Sequence, residues 1–150
     1  MISRFVLNVV AFIVLILGAS TVMAGAVSHE VRLYHDDTFQ EEQQKFIPSD
    51  TIYVLIDFFD LKKQQYALSI EWIRPDGVLV RNDSYELSPE SEPLSKQLYF
   101  WMQLHEKGPL SQMLSGSEFS PNVYGDWKVR IYCNGEILSI IGFTMTDTIL

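Results

Sequence analysis

The sequence has a single cysteine, Cys133, in 150 residues. No internal disulfide can form, and no cysteine-rich zinc site can be built. Basic side chains are also scarce: eleven Lys and Arg stand against nineteen Asp and Glu, a net charge of -8. Phosphate binding needs a basic footprint, so no nucleic-acid partner is expected. Docking on anionic lipid is disfavoured for the same reason. Internal repeats and low-complexity tracts are absent.

Motifs that carry chemistry are missing too. The three histidines, His29, His35 and His105, lack the i, i+4 spacing of a helical zinc pair. There is no D-x-D-x-D-G calcium loop, nucleophile elbow or phosphate loop. Asp36 with Asp37, or Asp57 with Asp60, could serve as an acid–base pair only if held about 5–10 Å apart around a cleft. Carboxylates at strand ends are more commonly solvated caps. The expectation is therefore a chain with no catalytic centre, no metal and no cofactor.

What is present is an apolar chain with an address at its front. Hydrophobic residues make up 47% and charged residues 20%, which excludes a disordered or collagen-like polymer. In residues 1–24, Arg4 and the amino terminus form a short positive region ahead of an apolar run from Phe5 to Leu17. Val22-Met23-Ala24 then sets small residues where a signal peptidase cuts. Residues 1–24 read as a secretion signal cleaved after Ala24, with Ala26 the second choice. The competing reading is an uncleaved anchor, since about twenty residues just span a bilayer. Asn8, Gly18, Ser20 and Thr21 weaken that stretch. The expected location is periplasmic or secreted, with membrane contact only if the segment is retained. Residues 25–150 then form one domain of net charge -9, large enough to fold without a disulfide staple.

This domain reads as strands separated by turns. Residues 27–34 form an opening strand, and 39–45 are polar and helix-compatible. Residues 51–59 are densely β-branched and aromatic, as a central strand requires. From 65 to 74 the chain alternates, with Tyr66, Leu68, Ile70 and Trp72 on one face. Pro75-Asp76-Gly77 closes a tight hairpin onto a short return strand at 78–81. Residues 82–95 read as a solvated loop. Alternation resumes at 96–105, with Leu98, Phe100, Met102 and Leu104 inward. After Gly108-Pro109, Leu110, Met113 and Leu114 make one apolar helical turn that would lie across the end of a sandwich. Trp127, Val129, Ile131 and Cys133 share a strand face, Asn134-Gly135 is a hairpin signal, and 136–145 is the last strand. In that register Cys133 is buried and inert. About seven strands and little helix point to an all-β antiparallel sandwich.

Two stretches support this with a family resemblance. The run from Tyr124 to Gly135, closing on Phe143-Thr144-Met145, resembles the last hairpin of immunoglobulin-like domains in secreted bacterial proteins. Ile70-Glu71-Trp72-Ile73-Arg74-Pro75-Asp76-Gly77 is similar to their middle hairpin. The resemblance implies an immunoglobulin-like β-sandwich over roughly residues 50–145, without the paired core cysteines of antibody-type domains. It implies no functional residue.

Function is left to the surface. If Leu98 and Phe100 face the core, strict alternation turns Tyr99 and Trp101 outward, and Tyr53 and Leu55 have the same two-sided character. Exposed aromatics on a sheet mark a contact surface. The first expectation is a non-enzymatic binding module that recognises a protein through a sheet edge or this aromatic face. The alternative is a carbohydrate-binding module that uses Tyr99 and Trp101 as a stacking platform. A covering segment, such as residues 39–45, would remove both. The leader reading is tested separately: the intact mass of protein recovered from the periplasm should correspond to a chain beginning at Gly25, and a mass retaining residues 1–24 would reject cleavage.

Overall fold

The computed structural model describes residues 27–148, so the stretch read as a secretion signal lies outside the described residues. The described residues are predominantly β, with eight strands in two sheets. Strands β1 (Ser28–Tyr34), β3 (Thr51–Leu61) and β6 (Leu94–Gln103) form a three-stranded sheet in the order β1-β3-β6. Strands β2 (Lys45–Phe46), β8 (Glu136–Met145), β7 (Gly125–Cys133), β4 (Tyr66–Ile73) and β5 (Leu79–Leu87) form the other, in the order β2-β8-β7-β4-β5. One helix, α1 (Pro109–Ser115), and a 3-10 turn at Pro121–Val123 lie between β6 and β7. No helix among the described residues is long and apolar enough to cross a membrane.

Period-2 alternation builds the core. Tyr66, Leu68, Ile70 and Trp72 of β4 face inward beside Trp127, Val129, Ile131 and Cys133 of β7. Ile52, Val54, Ile56 and Phe58 of β3, with Met102 of β6, supply the inner face of the other sheet. The two faces merge into one apolar cluster that holds no buried charged residue. Trp127 stacks on Phe143 at 5.7 Å, and its indole Nε1 donates to the Val123 carbonyl at 2.7 Å. The indole of Trp72 finds no protein acceptor.

The turns follow their residues. Asn134 and Gly135 both take positive φ, 53° and 83°, which matches the right-handed twist of the β7–β8 hairpin. The Asn134 side chain also accepts from the Ala67 N–H at 2.8 Å, which ties this turn to the start of β4. Gly125 opens β7 at φ 118°, where a Cβ would press against Pro75 at 3.3 Å. The β4–β5 turn and the start of β7 are thus in close contact.

Four local expectations are corrected. Residues 39–45 are not helical: Phe39 takes a left-handed φ of 53°, and Lys45–Phe46 instead pairs with β8. That pairing is parallel, so the five-stranded sheet is mixed and the strand count is eight. The return strand after Gly77 does not stop at 81, because β5 runs on to Leu87 through polar residues. An edge strand is solvated along most of its length, so it needs no apolar alternation. Helix α1 does form, but it covers nothing, since Leu110, Met113 and Leu114 are 78–89% exposed.

Both buried tryptophans should be costly to truncate. Trp72→Ala and Trp127→Ala are each expected to lose about 3–5 kcal/mol in denaturant unfolding, a large part of a domain's stability. Trp127→Phe should cost about 1 kcal/mol more than Trp72→Phe, because only the former orphans a buried carbonyl.

Candidate functional site

The outward face of the three-stranded sheet holds the residues expected from sequence. Register places Tyr34, Tyr53 and Trp101 in one row, and Arg32, Leu55 and Tyr99 in the next. Glu30, Asp57 and Gln97 follow. Tyr99 and Trp101 are exposed at 55% and 45%, and Tyr53 is half-buried. Leu55, expected outward, does lie on this face yet is buried, as is Tyr34. Neither belongs to the central apolar cluster, so a second, smaller layer covers them.

That cover is Phe39, from the 39–45 stretch, which reads as helix-compatible and as a candidate covering segment. Its ring meets Tyr34 at 5.4 Å and Tyr53 at 5.9 Å, both edge-on, and Tyr99 at 5.6 Å in a tilted contact. Tyr53 and Tyr99 are themselves 6.1 Å apart and tilted by 54°. Phe39 therefore shields part of the face and leaves Tyr99 and Trp101 accessible. A left-handed φ lets the short loop fold back far enough to place this ring.

A second residue missed from sequence is Arg81. Opposite β6, the unpaired edge of β5 carries Arg81, Asp83 and Tyr85 in register with Trp72, Ile70 and Leu68. These side chains share the inner side of the sheet but sit at its rim. The Arg81 guanidinium lies 5.1 Å from the centre of the Trp101 ring and pairs with Asp83 at 2.7 Å. Arg81, Asp83, Ser84 and Tyr85 line one wall of a shallow groove of about 330 Å³, and Tyr99, Phe100 and Trp101 line the other. Inward-pointing charges of this kind also blunt an open sheet edge.

The electrostatics of the face are acidic. Arg32 pairs with Asp57 and, more distantly, with Glu42. The Asp57 contact holds its guanidinium above the ordinary range, against the pull of burial. Burial raises the Tyr53 hydroxyl first, and Asp37, Tyr99 and Asp36 push it further. Burial also raises Tyr34, where Arg32 opposes and Glu42, Asp57 and Glu30 add to the rise. A separate hollow of about 550 Å³ lies between β1, Gln43-Gln44 and Ile141-Gly142, and contains none of these aromatics. Among the described residues, no group of three or more His, Cys, Asp or Glu is placed to hold a metal.

No family model matches the chain, and no curated protein matches it. Among solved structures, the Pseudomonas fluorescens alkylpurine DNA glycosylase AlkC bound to DNA containing an abasic site analog aligns with a TM-score of 0.47 and 11% identity. That alignment covers 77% of this chain and 30% of the glycosylase. A beta-glucosidase from Listeria innocua in complex with glucose aligns with a TM-score of 0.46 and 9% identity, over 83% of this chain and 17% of that enzyme. The chain spans less than a third of either protein's length.

Cys133 is buried on β7. Burial, with a smaller push from Glu136, raises its thiol above the ordinary 9.0. The folded state therefore favours the neutral thiol. That contribution is complete below the ordinary value and is lost as pH climbs through the raised one. Tyr34 and Tyr53 shift in the same sense from 10.0. Unfolding free energy should accordingly fall above about pH 9, and less steeply in Cys133→Ala. At neutral pH the native thiol should label slowly and form no reductant-sensitive dimer.

Proposed function

We propose that this chain is a non-enzymatic binding module, exported to the periplasm or secreted, whose contact surface is the aromatic face of β6 and its open edge. The fold reading is an immunoglobulin-like β-sandwich in residues 25–150, following a cleaved signal at 1–24. Two sheets that share one core support it, as do chain crossings between sheets after β1, β2, β3, β5 and β6.

The single observation that carries the binding role is the exposure of Tyr99 and Trp101 side by side on an edge strand. The neighbouring Tyr34 and Leu55 on the same face are buried. Large aromatic area left bare beside unpaired main-chain groups offers an extended partner segment both anchors and hydrogen bonds.

A protein partner fits this geometry better than a sugar. Stacking on pyranose rings wants coplanar aromatics across a flat face. Here Tyr99 is tilted by about 50° against both Phe39 and Tyr53, and Arg81 stands over the Trp101 ring.

Trp101→Ser should cost much less stability than Trp72→Ala or Trp127→Ala and leave the protein folded, because Trp101 is 45% exposed and lies outside the core cluster. A photoreactive benzoylphenylalanine at position 99 should give a discrete cross-linked adduct in cells. The same probe at the exposed Glu90 should give none, and Trp101→Ser should abolish the adduct from position 99. Unfolding of Trp101→Ser, or equal cross-linking from both positions, would overturn the assignment.

A further inference from the structure

The charge distribution around Tyr99 and Trp101 narrows the occupant. Resting on the binding reading above, we propose that this face takes a basic, extended segment of a partner protein, with Arg or Lys side chains seated on the aromatics.

Three observations converge on it. Two cations at the face are already matched, Arg32 by Asp57 and Glu42 and Arg81 by Asp83, and Lys96 of β6 lies past Gln97 in the row of Phe58, on the other side of the sheet. Asp36 and Asp37 instead stand in the loop that carries the Phe39 ring onto Tyr53 and Tyr99, and both add to the rise of the Tyr53 hydroxyl. Nearby, Asp36 meets His35, at 3.1 Å, the Thr38 N–H and hydroxyl, and the Phe39 N–H. Carboxylates therefore exceed cations around exposed aromatic rings.

The second observation is a worked example within the chain. Arg81 over Trp101, steadied by Asp83, is a guanidinium held jointly by an aromatic ring and a carboxylate. Tyr99, flanked by Phe39 and Tyr53 and with Asp36 and Asp37 close to Tyr53, repeats that combination without an internal cation over the ring. A cation over an aromatic face is attracted by the ring quadrupole, and a nearby carboxylate adds to it.

The third observation is the strand itself. Among the described residues β6 has no hydrogen-bonded neighbour on its outer side; β5 stands across the shallow groove there, so a segment seated along β6 would present alternate side chains to the face at a two-residue period. The overall net charge of -8 adds a general attraction for a basic partner and repels an acidic one.

The test uses three fluorescent peptides of about nine residues, the length of an ordinary strand. They alternate Thr with Arg, Gln or Glu, and binding is read by anisotropy. The Arg peptide should bind at least about tenfold tighter than the Gln peptide, and the Glu peptide should bind least. Its affinity should fall with added salt. Asp36→Asn with Asp37→Asn, and separately Tyr99→Ser, should each remove most of the Arg-over-Gln preference. Glu90→Gln with Glu118→Gln removes the same charge away from β1, β3 and β6, and should leave that preference intact.

Equal loss in the Glu90 and Glu118 variant would show bulk charge rather than a site and would overturn the proposal. So would equal binding of the Arg and Gln peptides. If cross-linking from position 99 persists while no peptide discriminates by charge, the basic-segment proposal falls and the binding reading stands. If position 99 gives no adduct, both fall.

Discussion

The register of β4 against β7 is the constraint from which the rest follows. Leu68, Ile70 and Trp72 stand opposite Cys133, Ile131 and Val129, so each strand's apolar set faces the same side. A slip of one residue would turn every one of these side chains outward and bury Ser69 and Glu71 instead. Glu71 is thereby left on the outer face, where Arg130 lies 3.3 Å away and the Tyr132 hydroxyl donates to it at 3.0 Å. Trp127 extends the same row beyond β4 and brings in Phe143 of β8.

The aromatic face inherits its surroundings from that register through one irregularity. Ile73 pairs with Leu79, but Trp72 pairs with Arg81, so Val80 is an extra residue in β5. Had the ladder continued without this bulge, Val80 would oppose Trp72, and Asn82 and Ser84 would replace Asp83 and Tyr85 in the row. The bulge therefore puts Arg81 on the side from which it reaches Trp101. A local change in strand pairing on one sheet thus sets the electrostatic character of an aromatic on the other.

Strong alternation was legible in the sequence, and polar edges were not. The faces of β4, β7 and β6 could be read because one side of each is buried, including the outward turn of Tyr99 and Trp101. β5 looked like a loop because an edge strand with charged inward residues carries no period-2 apolar signal. Leu55 looked exposed because alternation alone does not show that Phe39, sixteen residues earlier, folds over the same face. Its left-handed backbone has no sequence marker, since Phe is not a residue that favours positive φ. The contact of Arg81 with Trp101 joins two sheets across a rim, and no local pattern encodes such a contact.

The order of pairing also sets when the structure can form. β4 sits between β5, its hairpin partner, and β7, whose residues lie some sixty positions further along, as Ile70 opposite Ile131 shows. The inner wall of the five-stranded sheet cannot close until residues 125–145 are available to it. Only the β4–β5 and β7–β8 hairpins can assemble from neighbouring sequence, and isolated hairpins are marginal in water. Chains dominated by such distant pairings reach the native state slowly, commonly in milliseconds to seconds. Until that closure, the apolar row of β4 has no partner on its β7 side, so the last strands to be made decide when the core can be sealed.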